Sequence, residues 1–298
     1  MIVTVGSINI DLFANVPRLP KPGETIKGTA FSTAPGGKGA NQALAAQRAG
    51  AQTVMVGAVG KDAFAESALA LLKSGGVDLT RVRDVSEPTG VAIIMVGDDG
   101  ENVIAIISGA NMKVANDQYG DLPFAKGDVL LLQLEIGFAT IQAAVARARV
   151  YGATSILNIA PFHPDGVALM AEADITIANE TEFADAATAM ALTGDTLEDK
   201  MRDFANRTRR TIIVTLGGEG AVAASGTAFH AVPSLKITPI DTVGAGDTFC
   251  GYLAAGLQSG LALPDAMRLA AAAGSLACLK PGAQPSIPTL DEVQAALA

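Results

Sequence analysis

In Asp241-Thr242-Val243-Gly244-Ala245-Gly246-Asp247-Thr248 a carboxylate stands one residue beyond a glycine-rich turn that opens a stretch of helical spacing. Gly244 and Gly246 let successive backbone N–H groups converge on one point, and the start of a helix adds roughly half a positive charge there. A phosphoryl group in transfer would be stabilised at such a point, and Asp247 in the first turn would be placed to accept a proton from an attacking hydroxyl. Taken alone, the same residues also describe an aspartate capping a helix after an ordinary glycine turn.

Three further clusters carry groups suited to a polar ligand. Gly36-Gly37-Lys38-Gly39-Ala40-Asn41-Gln42-Ala43 is a glycine-rich turn running into a helix. It is not a Walker A loop, because Gly39 follows the lysine where that pattern has Ser or Thr. Its glycines allow close approach of the backbone, while Lys38 and Asn41 bring donors that suit a polyol; a tight connection with a solvated lysine is the alternative. Asn9 and Asp11, spaced i and i+2 after the first strand, face the same way and form a natural grip on vicinal hydroxyls, or else an Asx turn. Asn179-Glu180-Thr181-Glu182 follows another strand, so a carboxylate there is placed to hold Mg²⁺ directly or through water and Asn179 to reach a phosphate. A capped helix with acidic residues in its first turn explains the same four residues.

The elements that must position these groups read as one α/β unit. A chain of 298 residues with 49% hydrophobic content can bury one large core. The formal charge of −9 and pI near 4.7 repel nucleic acid and anionic membranes, so an anionic substrate has to be held by local devices. Short apolar runs at Ile2–Val5, Thr53–Val59, Val129–Leu134, Ser155–Ile159, Ile175–Ala178 and Ile212–Leu216 alternate with alanine-rich helical stretches. One such helix runs from Phe64 to Lys73 and is stopped by Gly75-Gly76. This predicts a mainly parallel central sheet covered by helices on both faces.

Two regions break the alternation: 12–33, with Pro17, Pro20, Pro22 and Gly23, and 90–108, which reads as two strands around Gly97-Asp98-Asp99-Gly100. Together they predict a small sheet at the edge of a single domain spanning 1–298, either a lid that excludes water or else a decorative hairpin or a dimer surface. Met1 to Gly6 enters a strand with no basic segment or long apolar run, and 269–279 is too short to span a bilayer, so no membrane partner and a cytoplasmic location are expected. Cys250 and Cys278 lack metal-ligand spacing and read as buried thiols. The two histidines, His163 and His230, lie outside every cluster named above.

Taken in order, Gly6-Ser7-Ile8-Asn9-Ile10-Asp11, Gly36 to Ala43, Asn179 to Glu182, Thr215-Leu216-Gly217 and Asp241 to Phe249 resemble the motifs of the ribokinase-like carbohydrate kinases across nearly the whole chain. Gly100 to Ile104, Gly109-Ala110-Asn111, Gln133-Leu134-Glu135 and Gly282-Ala283-Gln284-Pro285-Ser286 are similar to segments of the ribose-phosphorylating members. The resemblance implies ATP-dependent transfer to the 5-hydroxyl of D-ribose. Asp247 would be the base, Gly244, Ala245 and Gly246 the anion hole, and Asn9, Asp11, Gly37, Lys38, Asn41 and Glu135 the sugar contacts. It implies that Asn179, Thr215, Gly217 and Gly220 line the nucleotide site and that Glu182 meets Mg²⁺ through water. It also implies that Asp241, Val243, Ala277, Lys280, Gly282 and Ser286 hold K⁺, and that the small sheets pair in a homodimer. Deoxyribose, fructose or a nucleoside remain rival substrates, and a non-catalytic sugar-binding regulator is a rival of another class. Two places depart from the pattern: Tyr252 stands where a small residue is usual, and Phe162-His163 follows Ala160-Pro161. The adenine pocket is not legible in the alanine-rich stretch at 270–273.

Overall fold

Apolar residues dominate the central strands, interrupted by the buried Thr4 and Thr176, because both faces of the sheet are covered. The computed structural model describes residues 1–120 and 124–298. Its strands are β1 (Ile2–Val5), β2 (Asn9–Val16), β3 (Ala30–Gly36), β4 (Thr53–Gly60), β5 (Asp78–Val85), β6 (Gly90–Gly97), β7 (Asn102–Ile107), β8 (Val129–Gln133), β9 (Thr154–Asn158), β10 (Ile175–Asn179), β11 (Thr211–Thr215), β12 (Ala221–Ser225) and β13 (Ala228–Val232). The helices are α1 (Lys38–Arg48), α2 (Ala63–Ser74), α3 (Phe138–Tyr151), α4 (Val167–Glu172), α5 (Glu180–Ala189), α6 (Leu197–Thr208), α7 (Ala245–Gln258), α8 (Leu263–Ala277), α9 (Ala283–Ser286) and α10 (Leu290–Leu297).

Among the described residues the large sheet has the order β13-β12-β11-β10-β9-β8-β1-β4-β5, parallel from β5 to β11 and antiparallel over β12 and β13. Ile2, Leu131, Ile156, Ile177 and Ile213 face the layer of α1, α7 and α8. Val3, Leu130, Leu132, Leu157 and Val214 face α3, α5 and α6. The expected parallel sheet between two helical layers is therefore found. Strand order reverses beside β1, which pairs with β4 on one side and β8 on the other. Open α/β sheets form their ligand crevice at the carboxyl ends of such strands.

The irregular regions fold into a second sheet of order β3-β2-β6-β7. Its β2 pairs antiparallel with β3 and parallel with β6, so that Asn9 lies opposite Gly36 on one side and Gly90 on the other. Asn9 and Asp11 thus belong to the small sheet itself, whereas the sequence reading placed them on the exit from β1. The β6–β7 hairpin turns at the expected residues, with the Gly100 N–H donating to the Gly97 carbonyl at 2.9 Å. Helix α2 is capped by Asp62, whose carboxylate accepts from the N–H groups of Phe64 and Ala65, and it stops at Gly75 with Gly76 at φ +82°. Among the described residues no helix is long and apolar enough to cross a membrane.

Candidate active site

Asp247 sits in the first turn of α7 with only 8% of its surface exposed. Both carboxylate oxygens are held from α1: Asn41 Nδ2 donates to Oδ2 and Gln42 Nε2 to Oδ1, each at 2.9 Å. The two helices come this close because position 251 is glycine, where a Cβ would stand 2.6 Å from the Gln42 carbonyl oxygen and 2.7 Å from the Ala46 nitrogen. Gln42 is itself fixed from the sheet, since its Nε2 also donates to Asn158 Oδ1 at 3.1 Å and its Oε1 accepts from Gln133 Nε2 at 2.7 Å. The sequence reading gave Asn41 a donor for hydroxyl groups. That donor is spent on Asp247, and the group left over is an acceptor, the buried and unpartnered Oδ1. Gln42, Gln133 and Asn158 were given no role from sequence, because a glutamine on a buried helix face carries no spacing signal.

The turn before α7 has Gly244 at φ +77°, and a Cβ there would stand 2.8 Å from the Ala283 Cα. Of the expected N–H donors, that of Ala245 is directed to the Thr242 carbonyl at 3.3 Å. Among the described residues the N–H groups of Gly246 and Asp247 meet no protein acceptor, as the first donors of a helix should not. The preceding loop is tied to the segment after α8. Asp241 Oδ1 accepts from the Val243 N–H at 3.0 Å and Oδ2 from the Gly282 N–H at 2.8 Å, while Ile240 and Asp241 both donate to the Cys278 carbonyl. Ala277 ends α8 on that segment. The Lys280 ammonium turns away to Glu292 at 3.3 Å, and Ser286 Oγ donates to the Ala283 carbonyl at 2.9 Å.

On the other side of Asp247, the turn into α1 is pressed against the exit of β1. Gly37 has φ +89°, and a Cβ there would stand 2.7 Å from the Asn9 nitrogen and 2.9 Å from the Ser7 carbonyl oxygen. Ser7 Oγ donates to Glu135 and accepts from the Gly39 N–H, and Glu135 also accepts from the Lys38 N–H at 3.2 Å. Ser7 thus pins the turn into α1 to Glu135, a part that its place in the sequence does not signal. Asp11 stands over Gly36, where a Cβ would come within 2.4 Å of its carboxylate oxygens. Burial pushes the Asp11 carboxyl up to about 7; the charges of Glu135 and Asp247 add to that and Lys38 opposes it. Burial also works against the Lys38 ammonium, but Asp247, Glu135 and Glu182 outweigh it and hold its pKa above the ordinary lysine value. Four carboxylates and one lysine thus share a single field. Asn9 is buried, with Oδ1 accepting from Asn111 Nδ2 at 2.7 Å.

Two cavities flank the start of α7. The smaller, about 130 Å³, is lined by Lys38, Asn158, Glu182, Gly244, Asp247 and Cys250 among others. The larger, about 630 Å³, runs along Gly217, Gly218, Gly220, Ser234 to Ile237, Pro239, Phe249 and the α8 residues Ala271, Gly274, Ser275 and Cys278. Asn179, Thr215 and Gly246 line both. The larger cavity has the volume and the apolar wall of a small-molecule site. Gly220 (φ +105°) admits no Cβ, which would fall 2.0 Å from the Val232 carbonyl oxygen. Asn179 caps α5 in a reciprocal box, its Oδ1 accepting from the Glu182 N–H at 2.8 Å and its own N–H donating to Glu182 Oε2 at 2.9 Å. The capping alternative is therefore real, and the Glu182 side chain lines the smaller cavity at the same time.

Tyr252 points away from both cavities. It is fully buried and lines neither cavity, and its hydroxyl donates to the Pro288 carbonyl at 2.8 Å, tying α7 to the carboxyl-terminal segment. His163 caps a short 3-10 turn, with Nδ1 accepting from the Asp165 N–H, and its ring lies 5.5 Å from that of Phe138. Cys250 and Cys278 are free, buried thiols as expected, although each also contributes to a cavity wall.

A family model described as pfkB family carbohydrate kinase matches residues 1–290. A ribokinase of Lactococcus lactis is 39% identical over 297 residues, covering 98% of this chain and 95% of that protein. The crystal structure of a Thermotoga maritima ribokinase superposes with a TM-score of 0.92 at 31% identity, over 99% of this chain and 98% of the other. An Arabidopsis thaliana ribokinase complexed with ribose and ATP gives 0.89 at 32% identity, again over 99% and 98%.

Proposed function

Because this chain belongs to the pfkB family of carbohydrate kinases, we propose that it transfers the γ-phosphoryl group of ATP to the 5-hydroxyl of D-ribose. The observation that carries the reading is that Asp247 and the open N–H groups of α7 stand between a large, partly apolar cavity and a small polar one, with Asn179, Thr215 and Gly246 on the wall of both. The larger cavity suits a nucleotide and the smaller one the phosphoryl group in transfer at the helix start; of the sugar contacts, Lys38 lines the smaller cavity beside Asp247, and Asn9, Asp11, Gly37, Asn41 and Glu135 lie off both walls.

In this reading the sugar hydroxyl gives its proton to Asp247 as its oxygen bonds to the γ-phosphorus, and the bond from that phosphorus to the leaving ADP oxygen breaks. The N–H groups of Gly244, Gly246 and Asp247 meet the charge on the equatorial oxygens. Asn41 and Gln42 hold the carboxylate in line, so the base is oriented before substrate arrives. Asn9, Asp11, the Gly37 backbone, Lys38, Asn41 Oδ1 and Glu135 hold the other hydroxyls, and closure of the small sheet excludes water. Thr215, Gly217 and Gly220 line the nucleotide side, with Asn179 at the phosphates.

Among the described residues no group of three His, Cys, Asp or Glu side chains would chelate a divalent ion. Glu182, a single carboxylate on the cavity wall, suits Mg²⁺ held through water and phosphate oxygens, and such an ion supplies charge neutralisation on the β- and γ-phosphates. One carboxylate among main-chain carbonyls and a hydroxyl suits a monovalent cation. Asp241, Val243, Ala277, Lys280 through its carbonyl, Gly282 and Ser286 would hold K⁺, whose charge rigidifies the turn before α7. We assign a homodimer to the small sheet, supported by Phe31, Ile93, Ile104 and Ile106 exposed on it, and a cytoplasmic location, where ATP is supplied.

Steady-state ADP release with MgATP and KCl across ribose, 2-deoxyribose, fructose and nucleosides tests the assignment. Ribose is expected to give the highest kcat/KM. A nucleoside ahead of ribose by an order of magnitude overturns the substrate, and no sugar-dependent ADP release overturns the enzyme.

A further inference from the structure

Asn111 touches neither cavity wall, yet it fixes the orientation of the Asn9 amide. It lies in a short 3-10 turn, Gly109–Lys113, that follows the β6–β7 hairpin and is 99% buried. The Ile8 N–H donates to Asn111 Oδ1 at 2.9 Å. A backbone N–H has no acceptor to offer, so the atom of Asn111 that faces it must be the oxygen. The Asn111 amide then points its Nδ2 at Asn9, and it does so at 2.7 Å from Asn9 Oδ1. Orientation is passed on: Asn9 must turn its oxygen to Asn111 and keep Nδ2 for the other side. Among the described residues Nδ2 has no protein partner. Gly90, opposite Asn9 in the register, closes over the pair, since a Cβ there would stand 2.2 Å from Asn9 Oδ1 and 2.4 Å from Asn111 Nδ2. The turn that brings Asn111 under the sheet requires Gly109 at φ +48°, where a Cβ would meet the Pro88 carbonyl oxygen at 2.2 Å.

We propose that Asn111 is a positioning residue for substrate selection: it locks Asn9 as a hydrogen-bond donor beside the acceptor Asp11 on the same face of β2, so that the site accepts a sugar hydroxyl that receives from one and donates to the other. An ammonium at that carbon, which only donates, would face the Asn9 amide hydrogens, so amino sugars are rejected. The proposal rests on the sugar-kinase reading above, and its test separates the two.

The main variant is Asn111→Asp, which keeps the shape and the acceptor for Ile8 but removes the donor, so that Asn9 turns its Nδ2 toward the new carboxylate and shows the sugar its oxygen. Measured at pH 9, KM for ribose is expected to rise about tenfold or more with kcat changed less than threefold. A deoxy sugar lacking the gripped hydroxyl should lose less than ribose does. A KM within twofold of the parent overturns the proposal, as does an equal loss on every sugar. The second measurement is ¹⁵N-resolved NMR of the side-chain amides in the unaltered protein, with Asn9→Asp used for assignment. Asn111 amide hydrogens should exchange slowly with or without ribose, and the Asn9 pair should shift when ribose is added. An Asn9 amide indifferent to ribose, in a protein that turns ribose over, overturns the lock. A protected Asn111 amide in a protein that ignores ribose leaves the lock standing and overturns the substrate.

Discussion

Replacing Asp247 by asparagine removes the proton acceptor while leaving the fold nearly as stable, and the hydrogen-bond pattern explains why. Asp247 accepts one bond from Asn41 Nδ2 and one from Gln42 Nε2. An amide at this position can satisfy only one of those donors with its oxygen, so one neighbour must turn over. Gln42 is unable to, because its Oε1 already accepts from Gln133 Nε2. Asn41 is free to turn, because its Oδ1 has no partner. Asp247→Asn therefore settles with its oxygen toward Gln42 and its NH₂ toward a flipped Asn41, exchanging charge-assisted bonds for neutral ones at about 1 kcal/mol. Asp247→Ala instead strands two buried donors, each costing about 1–3 kcal/mol. The expected result is that Asp247→Asn melts in denaturant within about 1 kcal/mol of the parent, while ribose binding in calorimetry weakens, because the flipped Asn41 shows the sugar its amide hydrogens in place of Oδ1. Its kcat should fall about 10² to 10⁴-fold, the usual worth of a general base. Asp247→Ala should lose between about 2 and 6 kcal/mol. If Asp247→Asn turned over within threefold of the parent, Asp247 would leave the mechanism. If it were as unstable as Asp247→Ala, the account of Asn41 would be wrong.

Asp11 sets a pH limb. With its carboxyl near 7 in the free protein, kcat/KM for ribose should rise from pH 6 to pH 8, since only the ionised form accepts two hydroxyl donors, and Asp11→Asn should flatten the limb in a steady-state profile. The sign for stability is opposite. Between the ordinary aspartate value of 3.8 and about 7 the folded chain holds a proton that the unfolded chain has released, so folding stability declines as pH climbs through that window, by at most about 4 kcal/mol, and Asp11→Asn should remove the decline in urea melts. Gly37→Ala would place a methyl 2.7 Å from the Asn9 nitrogen at a positive φ, costing on the order of 1–3 kcal/mol and raising KM for ribose more than kcat falls; a KM within twofold of the parent would show that the turn gives way freely. Exchanging K⁺ for a bulky organic cation should depress turnover, and equal rates in the two salts would discard the cation site.

Most of the frame was legible because its cause is local. Continuous apolar runs marked the two-sided strands, Gly75-Gly76 marked a helix end and Gly97 to Gly100 marked a hairpin. Strands whose identity comes from neighbours escaped notice. β12 reads Ala-Val-Ala-Ala-Ser and looks helical until it pairs with β11, while β5 carries Asp78, Arg81, Arg83 and Asp84 because it is the edge of the sheet. The site divides along the same line. Glycines and carboxylates in turns declare themselves, since positive φ and close backbone approach leave few alternatives. The amides that aim them do not: Gln42, Asn158 and Asn111 are buried polar residues whose partners lie 116 and 103 positions away for the pairs Gln42 with Asn158 and Ile8 with Asn111.

That distance in sequence has a consequence for how the site works. A carboxylate held by two amides costs no reorganisation when charge moves, whereas one held by water must wait for solvent. Gln42 holds the carboxylate at the helix start, while Asn111 fixes the Asn9 amide at the small sheet, so the two sides of the sugar are set by separate networks, one rooted in β8 through Gln133 and the other in the exit of β1 through Ile8. Damage to the first should therefore appear in kcat, and damage to the second in KM. Because no residue is common to the two networks, their effects should add on the free-energy scale, and a variant altered at both Gln42 and Asn111 is where a shared, purely structural origin would reveal itself by failing to add.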